Sequence, residues 1–233
     1  MGEKYFRGST IMHYIAVSVE GQTEERFVKE VLVPFFRQKN IFLEPIIVVT
    51  KRLANAPCKG GSITFDKAIK DIKKLLNPKY DFVTTFYDYY GINKDFLPDN
   101  ISDNPYETVK GIETKMADAI NSSNFIPYIQ LHEFETFLFV DAEITSSNLL
   151  GCNKTKVTQT INQALQKNNL NPELINNSPD TAPSKRIIGC YSEYQKTVDG
   201  PGVCNELGIQ AMMDKCPNFK KWINKLLSLC IEP

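Results

Sequence analysis

Apolar positions along this chain switch repeatedly between the two-residue and the 3.6-residue period. Residues 13–20 (HYIAVSVE) place apolar side chains in a β-branched context and stop at Glu20-Gly21, which predicts a strand. Thr23 then stands where it can cap a helix, with Glu24 and Glu25 in its first turn and Phe27, Val28, Val31, Leu32, Phe35 and Phe36 at helical spacing. Residues 45–50 (PIIVVT) form a short continuous apolar run, suited to a strand buried on both faces. A Gly-, Pro- and Ala-rich loop over 51–61 follows, and 63–76 carries Ile63, Phe65, Ala68, Ile69, Ile72, Leu75 and Leu76 on one helical stripe, with lysines and aspartates opposite. Residues 81–90 (DFVTTFYDYY) read as a strand whose business end is Asp88. Residues 105–120 read as a helix with Pro105 in its first turn, and 125–131 (FIPYIQL) as a fourth strand that Pro127 pushes toward an edge. Alternation of this kind predicts a mostly parallel α/β sheet covered on both faces.

Beyond Asp141 the character changes. Residues 155–183 are rich in Asn, Gln, Thr and Pro, with a weak helix at 156–166 and turn signals at Asn171-Pro172 and Ser178-Pro179. Two short amphipathic helices are marked by Ile209, Met212 and Met213, and by Phe219, Trp222, Ile223, Leu226, Leu227 and Cys230. Their apolar stripe predicts core packing over the sheet. The expected organisation is a leader or remnant segment at 1–11 ahead of a second methionine, an α/β core at 12–145, and a mostly helical extension at 146–233 packed on that core.

The 233 residues suit one compact domain, and 42% hydrophobic against 23% charged residues excludes global disorder. No apolar run approaches the roughly 18 residues of a membrane span, so no membrane partner is expected. Lys plus Arg and Asp plus Glu are 27 each, and the pI is near 6.7. That balance argues against a passive nucleic-acid coat, which would be strongly basic, yet leaves room for an enzyme that meets nucleic acid through bound metal. Six cysteines (58, 152, 190, 204, 216 and 230) include no Cys-x-x-Cys, and the two histidines, His13 and His132, offer no zinc spacing. Together with the lack of an apolar leader, this predicts a cytoplasmic location.

Ligands of an open parallel sheet bind outside the carboxyl ends of its strands. The acidic residues crowd there: Glu20 closes the first strand, Glu24 opens the next helix, Asp88 ends the third strand, and His132, Glu133, Glu135 and Asp141 follow the fourth. Oxygen ligands alone suit Mg²⁺ or Mn²⁺. Glu25 and Glu24 also suit a helix N-terminus through the macrodipole. Glu133 and Glu135 would share a face in a strand but diverge in a helix. Lys185 and Arg186 form a basic pair that can meet phosphate, although such pairs are more often simply solvated. There is no Walker A loop, no Gly-x-Ser-x-Gly elbow and no Cys with a histidine partner in sight.

Five segments in order, VEGQTEERFVKEVLVPFF (19–36), FYDYYG (86–91), YIQLHEFETFLFVD (128–141), APSKRI (182–187) and CPNFKKWINKL (216–226), resemble the DUF4276 family, a Toprim-like group of bacteria and archaea. The resemblance implies a Toprim-like, mostly parallel sheet of about four strands flanked by helices. It also implies divalent metal held by a glutamate after the first strand, here Glu20, and an aspartate after the third, here Asp88. The second aspartate of the family's Asp-x-Asp element is Tyr90 in this chain, a departure from the standard arrangement. Glu133 and Glu135 would supply the missing oxygens, as extra acidic residues do in the related overcoming-lysogenization-defect nucleases. Family members are often encoded beside an ABC-type or SMC-like ATPase in phage-defence or abortive-infection operons, so such a partner is implied.

The resulting expectation is a Mg²⁺- or Mn²⁺-dependent nuclease acting on DNA or RNA, the effector of an ATPase-linked defence system. Glu20 and Asp88 would be catalytic, Glu20, Glu24, Asp88, Glu133 and Glu135 would hold metal, and Lys185 and Arg186 would contact phosphate. The competing expectation is a non-catalytic Toprim-fold adaptor of the ATPase. A primase- or topoisomerase-like role would need further domains. Self-association is left open.

Overall fold

The computed structural model describes residues 12–48, 63–175, 178 and 180–229. The expected loop at 51–61 and the segment 1–11 lie outside the described residues.

Strand β1 (His13–Val19) occupies the centre of a five-stranded parallel sheet of order β2-β1-β3-β4, with β5 also paired to β3. Its neighbours are β2 (Ile41–Ile47) and β3 (Phe82–Asp88). The fourth expected strand is split into β4 (Phe125–Ile126) and β5 (Ile129–Gln130). Pro127 explains the split, because it has no N–H to give a ladder. The second strand begins earlier than the apolar run 45–50 suggests. The register His13↔Ile41 through Val19↔Ile47 fixes its extent, and Pro45 is accommodated because β2 is an edge strand.

Between β1 and β2 a single helical arm runs as α1 (Gln22–Phe27), a π-helical turn (Val28–Leu32) and α2 (Val33–Arg37). Pro34 lacks the N–H that an α-helix would use and its ring crowds the preceding turn, so the ladder widens there, with the Val33 N–H bonded to the Val28 carbonyl. Helix α3 (Phe65–Leu75) precedes β3, and α4 (Pro105–Ile120) follows it, with the Asn104 side chain accepting from the Tyr106 N–H at 3.0 Å. After β5 come a 3-10 helix (Phe134–Phe139), α5 (Ala142–Asn148) and α6 (Lys154–Lys167). They are followed by α7 (Pro183–Cys190), α8 (Lys196–Lys215) and α9 (Pro217–Ser228). The mostly parallel sheet flanked by helices, with a helical C-terminal part, is therefore the architecture observed.

Side chains of the sheet alternate between two cores. Ile15, Val17, Val19 and Phe86 face a core built with the α1–α2 arm and the C-terminal helices, and Ala16, Val83 and Tyr87 face one built with α3 and α4. In the first, Phe27 stacks on Phe137 with ring centres 5.5 Å apart and meets Phe134 edge-on at 5.3 Å. Pairs of this kind each contribute about 0.5–1.5 kcal/mol beyond area burial, so α1 is held firmly one turn after Glu24. Trp222 of α9 stacks on Tyr128 at 4.4 Å and donates its indole N–H to the Thr84 hydroxyl at 2.8 Å. The C-terminal helices are thereby fastened to β3 from above. No described helix is long and apolar enough to cross a membrane.

Candidate active site

Three chain segments meet at the carboxyl edge of the sheet because of its register. The β3 ladder continues past its last strand pair, with the Tyr89 N–H on the Gln130 carbonyl at 2.9 Å and the Tyr90 N–H on the His132 carbonyl at 2.6 Å. This carries residues 132–135 alongside the end of β3. His132 takes a left-handed backbone conformation (φ 61°) at the turn, and Glu133 lies extended at the entry to the 3-10 helix that holds Glu135. The question whether Glu133 and Glu135 follow strand or helix geometry thus has a third answer.

Asp88 sits at the bottom of the site, with one carboxylate oxygen, Oδ1, buried and without a hydrogen-bond partner. Burial, and then the charges of Glu24, Glu20 and Glu135, push its carboxyl well above the usual range, while the Phe134 N–H opposes them. Glu24 is buried in the first turn of α1, where loss of hydration raises its pKa against the pull of its own N–H, that of Gly21 and the Lys196 ammonium. A Cβ at Gly21 would lie 3.2 Å from Glu24 Oε2, so glycine leaves room for this carboxylate to fold back. Glu20 is exposed at the lip, yet protein crowds its inner side. Desolvation first and the charge of Glu24 second push its carboxyl up to about 8, with the Asp88 N–H opposing.

Glu135 is buried and pairs with Lys196 at 3.2 Å, and it accepts a longer bond from the Tyr194 hydroxyl at 3.4 Å. Burial raises its pKa, the ammonium lowers it and Glu133 raises it again. Lys196 is about half exposed, with a side-chain exposure of 48%. Burial opposes its charge, but Glu135, Glu133 and Asp88 outweigh that and hold the ammonium above its ordinary range. Arg26 steadies this helix end by donating to the Thr197 carbonyl at 3.1 Å.

Other expected residues are employed differently. Glu133 accepts the Ser184 N–H at 2.8 Å and its hydroxyl at 2.9 Å, which fastens the start of α7. Lys185, the next residue, is exposed, and Arg186 is half-buried with its Nε on the Thr181 carbonyl at 2.7 Å. Asp141 caps α5 through the Glu143 and Ile144 N–H groups, both at 2.9 Å. His132 is buried with neither ring nitrogen in a hydrogen bond, although the Glu173 carbonyl is close enough to act on its charge. Burial pulls its pKa down to about 4. Lys196 and Tyr194 escaped the sequence reading, since each comes from the C-terminal helical part and no local motif marks it, and Ser184, although inside the segment 182–187, was not read as the partner of Glu133.

The donor set has the chemistry of a hard divalent cation: carboxylate oxygens, mutually unfavourable charges and an unpartnered Asp88 Oδ1. Among the described residues, no three His, Cys, Asp or Glu side chains already form a ligand group. The fit is one of chemistry, with Lys196 supplying the positive charge in the present arrangement.

The family model described as "Domain of unknown function (DUF4276)" matches residues 19–227. Among curated proteins none matches. Similar solved structures include the C-terminal region of the Burkholderia pseudomallei OLD protein, at 12% identity and a TM-score of 0.44, covering 95% of this chain and 100% of that one. Another is the C-terminal region of the Xanthomonas campestris pv. campestris OLD protein, at 11% identity and a TM-score of 0.41, covering 92% and 96%.

Proposed function

Since this chain belongs to the DUF4276 family, whose description carries no activity, we propose its function from the site: a divalent-metal-dependent, Toprim-type nuclease that cleaves nucleic-acid phosphodiesters as the effector of an ATPase-linked anti-phage system. The observation that carries this reading is Asp88, half-buried, with one carboxylate oxygen buried and unpartnered among carboxylates that raise one another's pKa. Keeping such a group uncompensated is costly, and a bound cation removes the cost.

Glu20, Glu24, Asp88 and Glu135 would hold Mg²⁺ or Mn²⁺, which when bound would polarise a phosphodiester oxygen. Glu133, with both oxygens on Ser184, would brace the site and add its field to Lys196. The Lys196 ammonium, open to solvent on one side, would face the phosphate as charge gathers on it. Lys185 and Arg186 would make more distant phosphate contacts from the start of α7. The ATPase partner, the defence role and the cytoplasmic location are supported by the family resemblance and the cysteine pattern.

The adaptor reading is favoured by Tyr90 in the second aspartate position and by the lack of a ready ligand group among the described residues. Calorimetric titration of Mn²⁺ and Mg²⁺ separates the two. The nuclease reading expects saturable binding, lost in Glu20→Gln and Asp88→Asn, followed by cleavage of DNA or RNA with or without the ATPase. Absence of binding in the parent protein overturns it in favour of the adaptor.

A further inference from the structure

We propose that the cleft between the end of β2 and helix α3 seats one unpaired nucleotide of the substrate strand, with Lys67 and Lys74 on its phosphates. This deepens the nuclease reading and rests on it for the word substrate. The cleft encloses about 260 Å³. Its walls are Ile46, Ile47, Val48 and Leu75, and Ser18 lines its inner end.

Position ties the cleft to the acidic site. Ser18 and Tyr87 share a hydrogen bond of 2.7 Å between their hydroxyls on the α3 side of the sheet, and each is followed within two residues by a site carboxylate, Glu20 or Asp88. Cleft and carboxylates therefore meet at one end of the sheet, the carboxyl ends of β1 and β3, with the cleft on its α3 side. A strand crossing that end can leave a base on the α3 side and a phosphate above Glu20 and Asp88.

Charge fits the same occupant. Lys67 and Lys74 both pair with Asp71, the latter at 2.8 Å, so two ammoniums share one carboxylate and one positive charge stays unbalanced. Lys70, exposed three residues after Lys67, extends the basic stripe along the helix. The apolar walls offer a base the burial it gains on leaving a stack, and the volume lies below the usual range for larger ligands. A base held inside a duplex cannot enter.

The test is fluorescence anisotropy with labelled oligo-dT and oligo-U, and with a duplex of equal length, in EDTA so that neither metal nor cleavage contributes. A single strand of at least one type should bind about tenfold or more tighter than the duplex, the weight of one stacked base. Lys67→Ala with Lys74→Ala should weaken binding and reduce the salt slope by about 1.4, two contacts at about 0.7 each. Lys67→Arg with Lys74→Arg should bind as the parent does, and melting curves establish that both variants are folded. Equal binding of the duplex, no binding of either single strand, or indifference to the lysine changes overturns the proposal. Binding that survives in Glu20→Gln while calorimetry finds no metal site would retain the cleft and remove the nuclease. Metal binding with indifferent lysines would do the reverse.

Discussion

Ser184 gives both its backbone N–H and its hydroxyl to Glu133, at 2.8 and 2.9 Å, so that one buried carboxylate anchors the first turn of α7 to the edge of the sheet. An acidic group at a helix N-terminus is favourable in itself, and here it joins two parts of the chain. Glu133 is thus a structural anchor as well as a member of the acidic cluster.

Ser184→Ala should destabilise the protein by about 1–3 kcal/mol, because a buried carboxylate loses one of its two donors. Urea unfolding measures this. Glu20→Gln, which removes a lip charge with raised pKa, should leave the midpoint unchanged or higher. An unchanged midpoint in Ser184→Ala would show that Glu133 anchors nothing.

The metal-free protein should lose stability as pH rises from about 4.5 to about 8. The folded protein holds the Glu20 carboxyl above its ordinary pKa of 4.5, so its contribution is fully present below 4.5 and is lost as pH climbs through about 8. His132 works in the other sense: with its folded pKa near 4, below 6.5, it costs stability as pH falls through that window. Comparing melting temperatures of the parent and Glu20→Gln across this range isolates the Glu20 share. Mg²⁺ should restore stability at pH 8 and do little at pH 5. A melting temperature of the parent that follows the variant throughout would contradict the assignment.

Much of this fold was legible because independent signals coincided. At 105–120 Pro105 in the first turn marks the start of a helix, and α4 has those bounds, with the Asn104 cap added by the structure. The start of β2 was not legible, since pairing with β1 selected Ile41–Ile47 over the more apolar run after it. At the site, the strand-end rule brings Glu20, Glu24, Asp88 and Glu135 to one edge, which is where they stand. Lys196 was invisible, because it reaches Glu135 only through the packing of α8 on the 3-10 helix. Asp141 shares the acidic chemistry of its neighbours, and only the three-dimensional course of the chain shows it capping α5 instead.

Another half-buried carboxylate, Glu113, accepts the Ile129 N–H at 3.0 Å. Burial, relieved in part by that N–H and by Lys221, pushes its pKa up to about 7. Its charge therefore costs stability as pH rises from about 4.5 through 7, with an upper bound of about 3 kcal/mol. Glu113→Gln keeps an acceptor for Ile129 and should be more stable than the parent at pH 8 but not at pH 4. Urea unfolding at the two pH values is the check, and a gain of the same size at both would assign the effect to packing.

Gly200 supplies the closest packing behind the site. A Cβ there would lie 2.7 Å from Phe134 Cε1 and 2.8 Å from the Tyr194 hydroxyl, the group that also reaches Glu135. Both neighbours are buried, so neither can swing away freely. Gly200→Ala gains helix propensity, worth about 1 kcal/mol in an exposed helix. Overpacking costs about 1–3 kcal/mol and should win here. The net expectation is a modest loss of stability together with displacement of Tyr194 and the first turn of α8, which carries Lys196. If Lys196 balances the carboxylates, its displacement should change Mn²⁺ affinity by calorimetry, whereas Tyr194→Phe, which removes only the 3.4 Å bond, should change it less. An alanine variant as stable as the parent, with unaltered metal affinity, would mean that α8 is not held where this packing places it.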